Sequence, residues 1–192
     1  MARGDRREEL LDAAEGVVED EGVAGLTIDR VAARAGVAKG TVYLYFASKE
    51  QLVGALKARC LEEMTAMVVA GLADLESGDW WGTADAVVEA VIDYDLSHRW
   101  VIAVMATETG DEESKQVYRE ATGQMLDLLI AAIRQGAAEG VFEVDDPETT
   151  ATLLYFALEG TLHHTILYEA DVDRDRLVSS ARALIHRALG DD

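Results

Sequence analysis

The chain has 192 residues, 49% of them hydrophobic, with one proline, one cysteine and a formal net charge of −20. That length supports one or two small domains with a real core, and the apolar fraction excludes a disordered tail. Abundant Ala, Leu and Glu with little β-branched alternation predict an all-α protein of about nine helices.

The first helix is expected from Arg6 to about Glu21, with Asp5 as N-cap and Gly22 as its stop. Leu10, Leu11, Ala14, Val17 and Val18 recur at helical spacing and predict its buried stripe. Thr27 is the expected N-cap of a second helix over 28–35, with Leu26 and Val31 at the hydrophobic-staple positions. Gly36 ends it at a point where a left-handed backbone suits glycine. A short third helix follows over 39–45 with Ala38, a poor cap, in front of it. Ser48-Lys49-Glu50-Gln51 is a capping box opening a fourth helix that runs to about Leu75. Further helices are predicted over 83–97, 100–109 (stopped by Gly110) and 112–139 (stopped by Gly140). The last two span 147–168, with Asp146 as cap and Pro147 in the first helical position, and 174–189.

Helix, Gly-containing turn, short helix and immediate next helix form the grammar of a helix-turn-helix, whose second helix enters the DNA major groove. Val42 and Phe46 are four apart and share a face. They are expected to pack on Val31, Ala32 and Leu52, leaving the polar residues of the short helix pointing outward. Lys39 at its leading end is placed to donate to guanine O6 or N7, and Gly40 permits close backbone approach to the bases. The pattern Thr27-x-x-x-Val31-Ala32-x-x-Ala35-Gly36-Val37-x-x-Gly40-Thr41-Val42-Tyr43-x-Tyr45-Phe46-x-x-Lys49-x-x-Leu52 resembles the DNA-binding domain of TetR-family transcriptional regulators. The resemblance implies a DNA-binding domain over 1–50 and a larger helical ligand-binding and dimerisation domain over 51–192. It also implies a DNA-contacting set of Thr27, Arg30, Lys39, Gly40, Thr41, Tyr43, Leu44, Tyr45 and Lys49. Within that set Thr41, Tyr43, Tyr45 and Lys49 are expected on phosphates, setting register more than sequence. Two departures stand out. The family often has an acidic residue where Arg30 stands, so the reciprocal cap is lost and Arg30 is free for phosphate. It often has Ser where Ala38 stands.

Charge is polarised along the chain. Residues 1–59 hold nine basic and ten acidic residues, whereas residues 60–192 hold eight basic and 27 acidic. Within 27–59 six basic residues face only Asp29 and Glu50. Over a Debye length of about 8–10 Å, local charge governs contact with phosphate, so the acidic total does not exclude a DNA partner. Arg3, Arg6 and Arg7 are candidates for a DNA-contacting arm, or for a solvated tail. Cys60, the lone cysteine, excludes an internal disulfide and reads as a small apolar helix residue. No stretch approaches the roughly 18 uninterrupted apolar residues of a membrane span, so no membrane partner is expected and the expected location is the cytoplasm.

A single reading head binds weakly, so a homodimer on a palindromic double-stranded DNA operator is required. Leu154, Leu158, Leu162, Ile166, Leu177, Ala181, Leu184 and Ile185 on the last two helices are the candidate interface, with Gly160 allowing close helix approach. The family implies an unidentified small-molecule effector in the C-terminal domain, acting through the fourth helix and ordinarily releasing a repressor from its operator. Met64, Met67, Tyr94, His98, Trp100, Met105, Glu108, Tyr118, Met125, Phe156 and His163 are the candidate pocket residues. Glu108 and the acidic surplus would suit a lipophilic cation. No cofactor or catalytic residue is expected. The Asp171-x-Asp173-x-Asp175 run lacks the Gly and Glu of a calcium loop, and His163-His164 and Glu159/His163 complete no metal motif. The alternative is an all-α enzyme or metal-binding protein with a vestigial helix-turn-helix.

Overall fold

The computed structural model describes residues 3–73, 78–107, 112–169 and 171–190, with the side chains of 3–5, 113 and 114 left aside. Among the described residues every regular element is a helix: α1 (Arg3–Gly25), α2 (Ile28–Arg34), α3 (Lys39–Tyr43), α4 (Lys49–Ala73), α5 (Trp80–Ser97), α6 (Arg99–Met105), α7 (Glu112–Ala138), α8 (Pro147–Tyr168) and α9 (Arg174–Leu189). Contacts divide the chain into two compact units. Unit 1 holds residues 1–61 and 100–121, and unit 2 holds residues 62–99 and 122–192. Residues 1–50, the segment expected to bind DNA, fall within unit 1, which also takes in the start of α4, α6 and the start of α7.

Unit 1 is organised by a core from α1, α2, α3, α4 and α6. Leu10, Leu11, Ala14, Val17 and Val18 of α1 meet Val31 and Ala32, then Val42 and Phe46, then Leu52 and Leu56, with Val104 of α6 completing the cluster. Each fully buried Val, Leu or Phe among them stabilises the fold by about 1.5–3 kcal/mol. Leu26 and Val31, the staple pair, are both fully buried. Gly22 takes φ +70° and interrupts the helical path of α1, and Gly36 takes φ +66° in the turn after α2. Both are backbone states that glycine adopts without steric cost. Asp5 lies inside α1 and is therefore not its cap, since the helix already begins at Arg3.

α6 ends at Met105, short of the expected 109, and Gly110 lies outside the described residues. The physical reason is Lys57 of α4. Its ammonium, only 4% exposed, donates to Met105 O at 3.1 Å and to Thr107 O, taking up carbonyls that a helix end leaves open. Burial lowers its pKa, and the Tyr118 ring lies 5.8 Å away.

In unit 2, α5 starts at Trp80 rather than Thr83, because Asp79 caps it by accepting from Gly82 N at 2.9 Å. The Trp80 and Trp81 pair then packs edge-on against Phe142, with ring centroids 5.5 and 5.0 Å apart. Gly136 makes room for Phe142, whose ring would lie 2.4 Å from a Cβ at that position. α5 and α9 are zipped by charge. Arg174 meets Asp93 and Glu89, Arg182 meets Glu89 at 2.5 Å, and His186 meets Asp85 at 2.9 Å. Acids at Asp85, Glu89 and Asp93 recur every four residues, which puts them on one helix face.

Val88, Ile92 and Asp95 form the inward stripe of α5, so helical spacing alone carries an aspartate into the interior. Burial, reinforced by the nearby Glu159 carboxylate and opposed by His98, pushes its carboxyl up to about 7. The fold therefore favours the protonated acid. The resulting stabilisation is complete below about pH 4 and is lost as pH rises towards 7. Asp95→Asn removes this titration. The stability of Asp95→Asn relative to the parent should rise from pH 4.5 to pH 7 by about 1.4 kcal/mol per unit, read by denaturant titration at matched ionic strength.

Candidate nucleic-acid interface

α3 has five residues and no side-chain cap at Ala38. An isolated helix of that length is unstable in water, so its orientation comes from what it buries. Val42 and Phe46 are enclosed in the unit 1 core, and Tyr45 packs on its edge. The N–H groups of Tyr45 and Phe46 both return to Val42 O, at 3.0 and 2.9 Å, closing the turn beyond α3. The guanidinium of Arg7 lies 5.5 Å from the centre of the Phe46 ring. With that face fastened, Lys39, Gly40, Tyr43 and Leu44 are exposed and Thr41 is half-buried. Tyr43 and Leu44 are 47% and 73% exposed, a large apolar and aromatic surface for one turn of chain. A Cβ built on Gly40 meets open space, so no packing inside the chain requires a glycine there.

The flanking caps hold this face in place. Thr27 Oγ1 accepts from Arg30 N at 3.3 Å at the start of α2. At the start of α4, Ser48 Oγ accepts from Gln51 N at 3.2 Å, and Gln51 Oε1 accepts from Ala47 N at 2.9 Å. The reciprocal bond of the capping box thus falls one residue earlier than its usual place. Lys49 is half-buried in the first turn of α4, where the helix N-terminus favours anions.

The basic surplus of 27–59 is less available than its sum suggests. Lys39 Nζ donates to Asp29 Oδ2 at 2.9 Å, and this bond raises its pKa. Arg30 pairs with Glu21 and donates to Gly25 O at 3.3 Å, so it is drawn towards the end of α1. Arg34 pairs with Asp20 at 2.5 Å, and Gly16 is the close-approach point beneath its guanidinium. Arg59 pairs with Asp12 at 2.7 Å and with Glu15, while Lys57 is buried. Arg6 and Arg7 pair with Glu9 and Glu8. These acids belong to α1 and α2, and one-dimensional charge counting did not assign them as partners.

The other candidate residues divide between the units. Trp100, Met105 and Tyr118 belong to unit 1, where Trp100 packs against the core. Met64, Met67, Tyr94, His98, Met125, Phe156 and His163 belong to unit 2. Met125 is buried there, but Phe156 is 48% exposed and points outward with Leu153. Glu108 lies outside the described residues. Of the candidate dimer positions, Leu162 and Ile166 are buried within the chain itself. Leu154, Leu158, Leu177, Ala181, Leu184 and Ile185 instead line an apolar groove of about 120 Å³ between α8 and α9. The outward stripe of α8 runs beside the expected Leu154, Leu158, Leu162 and Ile166, through Leu153, Phe156, Ala157, Gly160, Thr161, His164 and Leu167. Among the described residues no cluster of three His, Cys, Asp or Glu is arranged to hold a metal, and no helix is long and apolar enough to cross a membrane.

Residues 10–56 match the model of bacterial regulatory proteins of the tetR family, and residues 82–190 match the C-terminal model of BetI-type transcriptional repressors. An HTH-type transcriptional regulator of Bacillus subtilis, YhgD, is 28% identical over 159 residues, covering 80% of this chain and 82% of its own length. The structure of the fatty acid degradation regulator FadR from Bacillus halodurans superposes with a TM-score of 0.80 at 21% identity, covering 99% of this chain and 97% of that one. FadR from Bacillus subtilis, solved in complex with stearoyl-CoA, superposes with a TM-score of 0.76 at 20% identity, covering 96% and 98%.

Three substitutions test the roles expected of Lys39 and Lys49. Lys39→Ala should cost about 1–3 kcal/mol of discrimination between matched and mismatched duplexes while leaving random-sequence affinity nearly unchanged. Lys49→Ala should weaken all duplexes alike and lower the salt slope by about 1. Asp29→Asn unties Lys39 and removes a negative charge, so affinity for any duplex should rise. Fluorescence anisotropy over a salt series reads all three.

Proposed function

Because the chain belongs to the TetR family of bacterial regulatory proteins, we propose that it is a repressor that binds a palindromic operator as a homodimer. A small molecule bound by its C-terminal region then releases it. The observation that carries the reading is the exposed side of α3. A five-residue helix is fastened through Val42 and Phe46 and presents Lys39, Gly40 and Tyr43 outward. Lys39 and Gly40 are the base-reading pair, and the hydroxyls of Thr27, Thr41, Tyr43 and Tyr45, with the ammonium of Lys49, are the phosphate contacts. Leu44 offers an apolar contact beside them. Arg30 serves phosphate only after leaving Glu21.

One such head buries too little surface for tight binding, so two copies must be joined. The joining face is the outward stripe of α8 with the groove between α8 and α9. Leu153, Phe156, Leu167 and Leu184 are large and exposed there, and the groove gives a partner side chain a place to insert. Gly160 lies mid-helix with open space above it. A mid-helix glycine costs about 1 kcal/mol relative to alanine, and close packing of a partner helix offsets that cost. Effector control follows from differential affinity for two states of the dimer. α4 and α7 both contribute to the two units, and α4, which follows the reading segment directly, is the expected lever. That stearoyl-CoA binds a structural relative is consistent with a ligand-responsive C-terminal region. Such a regulator works in the cytoplasm. No observation favours the alternative of an enzyme or metal protein.

Phe156 and Leu184 are exposed, so glutamates there should leave the chain folded. The double variant Phe156→Glu/Leu184→Glu should sediment as a monomer where the parent sediments as a dimer. Its operator affinity should fall by roughly 10²-fold or more, because the second head loses its effective concentration. A parent that stays monomeric at high concentration, or a double variant that binds the palindrome as the parent does, contradicts the reading.

A further inference from the structure

Among the described residues, folding leaves a carboxylate oxygen of unit 2 buried without a partner. Asp95 is 3% exposed, and its Oδ1 is enclosed with no hydrogen-bond partner among the described residues. Buried side-chain oxygens are nearly always partnered, so each exception asks for an explanation. The arginines of unit 2 do not supply one: Arg134 pairs with Glu148, and Arg176 and Arg187 are exposed. Arg99 donates to Ile166 O at 3.2 Å, and Arg174 and Arg182 are engaged with Asp85, Glu89 and Asp93.

The surroundings are chemically specific. Glu159 on α8, half-buried, adds a second negative charge to the field at Asp95. His98, which follows the last residue of α5, opposes it. The His98 ring stacks on Tyr94 with centroids 4.5 Å apart, and its Nδ1 lies 2.9 Å from Tyr94 O. The Tyr94 hydroxyl donates to Glu63 at 2.8 Å. Ile92 and Leu162, on the same faces of α5 and α8, are fully buried and apolar.

We propose that Asp95 anchors an effector that carries a protonated amine on an apolar body, with the ammonium N–H donating to Asp95 Oδ1 within the combined field of Asp95 and Glu159. The proposal rests on the reading of this chain as a ligand-responsive regulator and names the chemical class of that ligand. A neutral alcohol would satisfy the oxygen but gain nothing from the second carboxylate. An anionic head group at this point would meet two negative charges at once. An ammonium gains from both. Because the free carboxyl is half protonated near neutrality, ammonium binding drives its proton to buffer, leaving an ion pair in place of a neutral acid.

The test uses the full chain with benzylamine and phenethylamine as probes, benzyl alcohol as the neutral control and stearoyl-CoA as the anionic one. Melting temperature and titration calorimetry in two buffers of different ionisation heat are the readouts. Both amines should raise the melting temperature by a few degrees, with proton release at pH 7, and the alcohol should not. Asp95→Asn should melt no lower than the parent yet bind the amines roughly tenfold or more weakly, and Glu159→Gln should fall between them. No shift with either amine, equal amine binding by Asp95→Asn, or binding of stearoyl-CoA alone overturns the assignment. Operator binding measured on the same preparation keeps the two readings apart. Its absence contradicts the regulator, while the calorimetry judges Asp95 independently.

Discussion

Two side chains, Val42 and Phe46, hold α3 to the rest of unit 1. A five-residue helix without a capping side chain has almost no stability of its own, because nucleation is costly and few bonds follow it. Its direction in space is therefore a property of the core it plugs into. That core draws on α1, α2, α4 and α6, so the exposed set Lys39, Gly40, Tyr43 and Leu44 inherits its rigidity from residues as distant in sequence as Leu10 and Val104. Preorganisation of this kind lets a small surface discriminate, since little conformational freedom remains to be lost on docking.

Electrostatics in unit 1 follow a second constraint. Nearly equal numbers of acids and bases in residues 1–59 are sorted into pairs: Arg30 with Glu21, Arg34 with Asp20, Lys39 with Asp29, and Arg59 with Asp12 and Glu15. Surface pairs of this sort add little stability. Their consequence is functional, because phosphate must compete with an existing carboxylate for Lys39 or Arg30. Acidic partners thus weaken indiscriminate binding more than they cost a site with base contacts, which is a route to specificity through penalty on the wrong partner.

Unit 2 solves a different problem. Its α5 carries acids on two faces. Asp85, Glu89 and Asp93 are answered by Arg174, Arg182 and His186 of α9, whereas Asp95 turns inward and Glu159 increases its burden. The arrangement is asymmetric in energy as well as position: one set is neutralised at the surface, the other remains a latent acceptor in an apolar wall. A buried polar group held without a partner is tolerated where it has another use.

Local chemistry made much of this legible. Caps at Thr27, Ser48 and Asp146, the Pro147 start, the glycines that follow α2 and α7, and the inward stripe of α1 all depend on neighbours within a few residues, and the sequence states them directly. The same holds for the fastening of Val42 and Phe46, a four-residue spacing. Three things required the tertiary structure. The C-terminal end of α6 depends on Lys57, some fifty residues away in the chain. The outward stripe of α8 lies beside the expected one, because a helix that is apolar all round gives no signal of which face its own chain will cover. The solitude of Asp95 was invisible for the opposite reason: a lone aspartate in a helical pattern reads as solvated until its neighbours, and their lack of a matching cation, are placed in space.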